Sequence, residues 1–180
     1  MTLRPSPRSL AVGLGLLLLV ACSDRGREPT QPEAEVPAAP PQEAPAPAAP
    51  TRTLPEPDLA NAEQFVTDEG DRLETLTFPP TGSLTIEGEA DGYVAPVYVV
   101  PVAAGQTLIV TLKSASTNIY FNISDAVDHS GAALFRGEMD GATATLTAER
   151  DMTYVVTPFQ PRASARRGEV APYRLTVGRS

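Results

Sequence analysis

Four arginines lie within thirteen residues near the C-terminus, in the stretch PRASARRGEVAPYRLTV (residues 161–177). A guanidinium group keeps its charge when it is desolvated, and its fork of N–H donors binds a carboxylate through two parallel hydrogen bonds. Two of the four, Arg162 and Arg166, are four residues apart and precede a strand-like segment. We predict that they form a loop surface that binds an acidic site on a partner.

The other charged residues of this stretch have simpler interpretations. Arg167 and Glu169 are predicted to support the loop, which joins two strands either as a hairpin or as a crossover between sheets. Arg174 alternates with apolar neighbours and is expected to point outward. A second interpretation is that the arginines only fix the loop by pairing with Glu169, Glu149 or Asp151, since exposed pairs of this kind contribute about 0–1 kcal/mol.

The residues that commonly carry catalysis are sparse. His129 is the single histidine, and no nucleophile-elbow motif or glycine-rich phosphate loop is present. The spacing of Asp125, Asp128 and His129 matches no calcium or zinc motif, and a solvated turn explains these residues. We therefore predict no catalytic residue, no metal site and no cofactor, and a protein that is not an enzyme.

The net charge of the chain limits the classes of partner that it can bind. The formal net charge is -8, and the N-terminal leader holds arginines but no acidic residue, so a chain without the leader is more acidic still. Such a chain has no general basic surface for nucleic acid. Its negative potential suits an encounter with a basic protein.

The N-terminus reads as an export signal. The apolar segment Leu10–Val20 (LAVGLGLLLLV) is shorter than the roughly 20 residues that span a bilayer. It runs into LVAC, which resembles the bacterial lipobox, so residues 1–21 are predicted to be a lipoprotein signal peptide and Cys22 the acylated N-terminus. An ordinary signal peptide with an incidental cysteine is the alternative. The residue after the cysteine is Ser23, whereas an aspartate there would favour retention in the inner membrane. By this resemblance we predict a lipid-anchored envelope protein of the outer membrane, on its periplasmic or surface side.

Residues 22–58 form a linker rich in proline and alanine, with few large apolar residues and no periodicity. A segment of this composition cannot bury enough apolar surface to offset its conformational entropy, so we predict that it is disordered. Its prolines favour an extended, semi-rigid tether.

Residues 70–180 alternate apolar and polar side chains with a period of two, which predicts about eight or nine short strands in a single antiparallel β-sandwich. The fold class is therefore all-β. Residues 58–66 (DLANAEQFV) predict one or two helical turns at the edge of the domain. Asp-Gly, Ala-Gly and Ser-Gly pairs mark turns at Gly92, Gly105, Gly131 and Gly141. The alternation is clearest in three strands, whose inward faces hold Leu108, Val110 and Leu112; Ile119, Phe121 and Ile123; and Tyr173, Leu175 and Val177.

Pro96 and Pro101 both fall within the second long strand segment, YVAPVYVVPV. Proline cannot donate a hydrogen bond to a neighbouring strand, so this strand is predicted to lie at an edge or to contain bulges.

Two stretches carry a family resemblance. The segment LTAERDMTYVVTPFQPRASARRGEVAPYRLTVG resembles the end of the periplasmic inhibitors of goose-type (g-type) lysozyme, and IEGEADGYVAPVYVVPVAAGQTLIVTL is similar to an upstream part of the same family. Both also resemble β-sandwich domains of the bacterial pre-peptidase C-terminal type. The match spans most of residues 72–180, with gaps near residues 113–140. The two strand prolines, the lipid anchor and the tether depart from the family pattern.

The resemblance implies a β-sandwich that inserts loops into the active cleft of a lysozyme. The tyrosine and the two arginines that this family uses fall on Tyr93, Arg162 and Arg166. The implied function is a lysozyme-binding inhibitor. The alternative is a tethered, non-catalytic accessory module that binds cell-wall material or another protein partner.

Overall fold

The computed structural model describes residues 53–180, which form a two-layer β-sandwich. The predicted signal peptide, Cys22 and most of the predicted linker lie outside the described residues. A five-stranded sheet consists, in spatial order, of β1 (Arg72–Thr75), β3 (Pro96–Val102), β8 (Met152–Phe159), β5 (Tyr120–Asp125) and β6 (Phe135–Arg136). A four-stranded sheet consists of β2 (Gly82–Asp91), β9 (Val170–Arg179), β4 (Thr107–Lys113) and β7 (Thr143–Thr147).

The predicted all-β fold class is confirmed, with nine strands in the described part of the chain. Every strand pair is antiparallel except β1 and β3, which run parallel. Three short helices complete the fold: α1 (Leu59–Ala62), followed at once by a 3-10 turn (Glu63–Phe65), α2 (Gly137–Asp140) and α3 (Arg162–Ala165). The first confirms the helical turns predicted over residues 58–66. Within residues 53–180, no helix has the length and apolar character needed to cross a membrane.

The main core lies between the two sheets, where the strands bury alternate side chains. All nine residues predicted to face inward in β4, in β9 and in and just before β5 are buried. This burial follows directly from the strand geometry, in which successive side chains point to opposite faces.

A second, smaller core lies on the outer face of the five-stranded sheet. The segment of residues 58–66 covers this face, and its Ala62, Phe65 and Val66 pack against Val99 and Val155. Two hydrogen bonds hold the segment: Thr153 Oγ1 accepts from the Asp58 amide, and Gln64 donates to the Ala126 carbonyl. The central strands β3 and β8 are therefore covered by apolar groups on both faces.

The prediction of an edge strand was wrong for β3 as a whole, which lies between β1 and β8 and has a continuous register to β8 from Tyr98 to Val102, but at Pro101 only β8 pairs with it. Its neighbour β1 ends at Thr75, opposite Val99. The backbone of Pro101 faces the same side of β3 as that of Val99, whose carbonyl accepts a hydrogen bond from Leu76. An N–H at position 101 would therefore point past the end of β1. The carbonyl of Pro101 accepts instead from Arg179.

Candidate functional site

The loop that carries the arginines is a crossover between the two sheets, from β8 to β9. It contains the single-turn helix α3, in which Arg166 N donates to Arg162 O over 3.0 Å. Ser164 and Ala165 are buried beneath the turn, whereas the side chains of Arg162 and Arg166 are exposed. Small buried residues thus anchor the loop, and the arginines project from it.

Arg162 and Arg166 lie one helical turn apart, a spacing that places their side chains on neighbouring positions of one face. Within residues 53–180, neither guanidinium group forms an ion pair. Both therefore offer their donors at the surface.

Tyr93 lies on the tight turn between β2 and β3, where Asp91 and Val94 exchange two backbone hydrogen bonds of 2.9 and 3.0 Å. Gly92 takes a positive φ of 61° in this turn, a conformation that glycine adopts without steric cost. The turn holds the Tyr93 side chain half exposed, at 50% of its full accessibility. Val94 and Val170 add exposed apolar surface beside it.

This turn contacts the arginine crossover directly. Gly92 N donates to Glu169 O over 3.0 Å, and a Cβ atom at position 92 would lie only 3.2 Å from the carbonyl oxygen of Ala165. Tyr93 and Arg162 line the same groove, which has a volume of about 610 Å³. The fold therefore brings Tyr93, Arg162 and Arg166 to the same end of the sandwich, although 69 residues separate Tyr93 from Arg162 along the chain.

Arg167 and Glu169 form an ion pair within the crossover. Arg167 Nε donates to Glu169 Oε1 over 2.7 Å, and its Nη2 donates to Ser164 Oγ over 3.2 Å. Glu169 also accepts from Asn118 of the β4–β5 loop at 3.4 Å. The hydrogen bond from Arg167, followed by one from Ser164, lowers the pKa of the Glu169 carboxyl group. The ion pairing considered for the loop arginines thus occurs at Arg167, with Glu169 as the partner.

The remaining charged candidates have structural contacts elsewhere. Arg174 points outward from β9 and pairs with Glu87 on β2. Asp125 pairs with Arg150, Asp128 accepts from the Ser130 amide within its own turn, and His129 bonds to Asn61 of α1.

The sequence prediction did not include the floor of the groove. This floor contains Asn122 and Ser124 from β5, Thr157 from β8 and Gln160 from the start of the crossover. The signal was present in the segment NIYFNIS, because Asn122 and Ser124 alternate with the inward residues of an interior strand.

Fold and loop geometry together define a β-sandwich protein whose candidate site is built from two loops at one end of the sheets. A solved structure similar to this chain, the periplasmic inhibitor of g-type lysozyme (PliG) of Aeromonas hydrophila, is 30% identical; the match covers 61% of this chain and 99% of that protein, with a TM-score of 0.53. The chain belongs to the PliG family of periplasmic lysozyme inhibitors.

Two further solved structures are similar to this chain at lower identity and TM-score. A PliG mutant from Escherichia coli is 19% identical, with a TM-score of 0.47 and coverage of 62% of this chain and 99% of that one. The pre-peptidase C-terminal domain of a collagenase from Bacillus anthracis is 13% identical, with a TM-score of 0.41 and coverage of 62% and 97%. No protein-family model matches the chain, and no curated protein sequence matches it.

Proposed function

We propose that this protein is a cell-envelope inhibitor that binds a g-type lysozyme and blocks its active cleft with the surface formed by Tyr93, Arg162 and Arg166. The observation that carries this proposal is the convergence of the three residues at one end of the sandwich, in a chain of the PliG family. The A. hydrophila relative is by name a periplasmic inhibitor of g-type lysozyme.

The chemistry of the target supports this surface. Glycosidases cleave their substrate between two carboxyl groups in a cleft. The guanidinium groups of Arg162 and Arg166, which form no ion pair within residues 53–180, match such carboxylates in charge and in hydrogen-bond geometry. A water-excluded cleft strengthens these bonds, and the paired charges stay satisfied after desolvation.

Tyr93 is proposed as the apolar anchor of the complex. Tyrosine and arginine are enriched among the residues that dominate binding energies, and such residues lie within a ring of contacts that exclude water. Val94 follows Tyr93 in the turn, Val170 lies opposite Asp91 in the strand register, and both exposed side chains are proposed to supply that ring. Arg167 and Glu169 are proposed to hold the crossover in its binding conformation rather than to contact the target.

The attachment of the protein is also part of the proposal. Cys22 is the proposed acylation site, residues 1–21 the signal peptide and residues 22–58 the tether to the outer membrane, with residues 70–180 as the sandwich domain. The segment near Asp58 contacts Thr153 at the start of β8, and the arginine crossover follows the end of that strand, roughly 20 Å away at about 3.3 Å per residue. A tether that enters there leaves the proposed binding surface free.

The central test measures lysis of bacterial cell walls by a purified g-type lysozyme with increasing amounts of the chain, produced with Cys22→Ser so that it cannot be acylated. Stoichiometric inhibition is expected. Combined Arg162→Ala and Arg166→Ala substitutions should raise the inhibition constant at least about 100-fold, since truncating a single hot-spot residue costs about 2 kcal/mol or more.

The matched control is Arg174→Ala, which removes an arginine outside the site. It should inhibit like the unsubstituted chain. Full lysozyme activity at a large molar excess of the chain would refute the proposal. Loss of membrane attachment and of palmitate labelling in the Cys22→Ser variant in cells tests the anchor separately.

A further inference from the structure

The groove beside Tyr93 extends well beyond the proposed lysozyme-binding residues. It lies on the outer face of the five-stranded sheet and has a volume of about 610 Å³, within the range of small-molecule sites. The N-terminal segment lines it through Phe65 and the β5–β6 loop through His129, and these two segments contact each other through Asn61 and His129. Tyr93 and Arg162 line it as well, near the end of the sheet that carries the crossover.

The floor of this groove changes from apolar to polar. Where the N-terminal segment covers the sheet, the outward residues are apolar, as at Val99 and Val155. Where the groove opens, they are Asn122 and Thr157, which lie directly opposite each other on β5 and β8, together with Ser124. Asparagine is disfavoured within strands, and both strands are interior to the sheet. The sheet therefore presents polar groups to the groove at positions where packing alone favours apolar ones.

Two amide oxygens in this groove lack a hydrogen-bond partner within residues 53–180. They are Oδ1 of Asn122 and Oε1 of Gln160; both atoms are buried beneath the groove surface, and Gln160, itself only 6% exposed, donates from Nε2 to the Ala90 carbonyl at 3.5 Å. Nearly all buried polar atoms in proteins have a partner, so two unpartnered acceptors in one groove indicate a ligand that supplies donors. Because both oxygens are buried, the two side-chain amides must reorient on binding before they can accept from such a ligand.

The surfaces around the floor disfavour an anionic ligand and suit one with apolar faces. Phe65, Phe159 and Tyr93 provide aromatic surface along the groove. Asp68, Asp71 and Asp128 outnumber Arg162 in the lining, so the groove has a negative excess that disfavours an anion. Hydroxyl-rich rings combine these properties, because their O–H groups donate to amide oxygens and their C–H faces pack on aromatic rings.

We propose that this groove binds an uncharged oligosaccharide, with Asn122 and Gln160 accepting hydrogen bonds from sugar hydroxyl groups and Thr157 and Ser124 adding further polar contacts. This inference does not rest on lysozyme inhibition. Its floor residues are not among those assigned to the inhibitory surface, so the two functions can be tested separately.

The test is a titration of the ¹⁵N-labelled Cys22→Ser chain with cellotetraose and with chitotetraose, followed by NMR. We expect the side-chain amide signals of Asn122 and Gln160 to shift, with a dissociation constant of about 0.1–1 mM for at least one sugar. Asn122→Leu should weaken binding at least about tenfold, and Thr157→Val should also weaken it. Thr145→Val, on the outer face of the other sheet, is the matched control and should bind normally.

A stability measurement distinguishes a binding role of Asn122 from a structural one. Replacing an unpartnered buried acceptor by an apolar group removes a desolvation cost, so Asn122→Leu should raise the melting temperature. No signal shift with either sugar, or equal binding by the groove variants and the control, would overturn the proposal. Shifts at the floor that only a lysozyme or a peptide produces would also overturn it, and would assign the groove to a protein interface.

The two proposals fail in different experiments. Asn122→Leu is expected to inhibit lysozyme normally. A chain that binds the sugar but does not inhibit lysozyme would contradict the proposed function and leave the saccharide site in place. A chain that inhibits lysozyme but binds neither sugar would contradict the saccharide site and leave the proposed function in place.

Discussion

The backbone N–H of Gly92 donates a hydrogen bond to the carbonyl oxygen of Glu169 over 3.0 Å, and this contact joins the turn of Tyr93 to the crossover of Arg162 and Arg166. The two loops adjoin the paired ends of β2 and β9, where Asp91 lies opposite Val170. Ten consecutive residue pairs hold these strands in register. A surface held in this way is preorganised, which reduces the entropy lost on binding.

The contact at Gly92 predicts that its substitution impairs binding without removing any binding side chain. Gly92→Ala should lose about 1–2 kcal/mol of stability from the positive φ. Its Cβ would also press on the Ala165 carbonyl at 3.2 Å and displace α3, so inhibition should weaken severalfold. The control is Gly105→Ala, which has a similar φ of 76° but open space around the new Cβ. Equal inhibition by the two variants, once any difference in their melting temperatures is taken into account, would contradict the coupling between the turn of Tyr93 and the arginine crossover.

The ion pair between Arg167 and Glu169 predicts that the stability of the domain depends on pH in the acidic range. The pKa of Glu169 lies below its ordinary value of 4.5, chiefly because of the hydrogen bond from Arg167. A lowered carboxyl pKa contributes stability above the unfolded pKa, and this contribution is lost as the pH falls through the folded pKa. Glu169→Gln should therefore have a lower melting temperature than the unsubstituted chain near neutral pH, and the difference should shrink as the pH falls below the ordinary carboxyl pKa of 4.5. A difference that is constant across this pH range would mean that the carboxylate charge does not matter.

The hydroxyl groups of Tyr98 and Tyr173 lie 3.0 Å apart in the core and connect β3 of one sheet with β9 of the other. Tyr98→Phe or Tyr173→Phe alone leaves a buried hydroxyl without its partner, which should cost about 1–3 kcal/mol. The double substitution removes both groups and should cost clearly less than the sum of the two. Urea denaturation of the four proteins measures this coupling, and strictly additive losses would contradict it.

The same pair predicts sensitivity to alkaline pH. Burial raises the pKa of both tyrosines. Their contribution to stability is complete below the unfolded pKa of about 10 and is lost as the pH rises towards the folded values, because only the unfolded chain releases these protons. The double phenylalanine variant should unfold at a higher pH than the unsubstituted chain, as followed by circular dichroism.

Arg179 is predicted to be the arginine on which stability depends most. It is only 3% exposed, donates to the carbonyls of Pro101 and Phe78 at 2.7 and 3.0 Å, and stacks 3.8 Å from the centre of the Phe78 ring. Arg179→Met should cost about 2–3 kcal/mol, because two buried carbonyls lose their donor. Arg174→Met, on the same strand but exposed, should cost at most about 1 kcal/mol. A stabilised Arg179→Met variant would mean that desolvation of the guanidinium outweighs its hydrogen bonds.

Much of the fold follows from local alternation. Leu108, Phe121 and Leu175 are buried as their parity predicts, because a strand directs every second side chain to the same face. The glycines predicted at turns, including Gly92 and Gly105, all have positive φ angles. The same parity places Arg179 in phase with the buried Val177, so its burial could also have been read from the sequence.

Other features depend on pairing between distant segments. The interior position of β3 could not be predicted, because it depends on how far β1 extends before Pro101 is reached. Helix α3 has only four residues, too few for a helical period to appear. The residues on the groove floor belong to β5 and β8, and only the sheet register places Asn122 opposite Thr157.

The sequence by itself determined that the chain carries one all-β domain, with an arginine-rich loop before its last strand, and it predicted an N-terminal export signal. Its composition, turn residues and period-two alternation are local properties, and each directly constrains the backbone or the solvent exposure of nearby residues. Only the tertiary structure decided that Tyr93 meets the crossover of Arg162 and Arg166. That contact depends on the long-range pairing of β2 with β9 and on the crossover between sheets, which hydrogen-bond register and core packing select together.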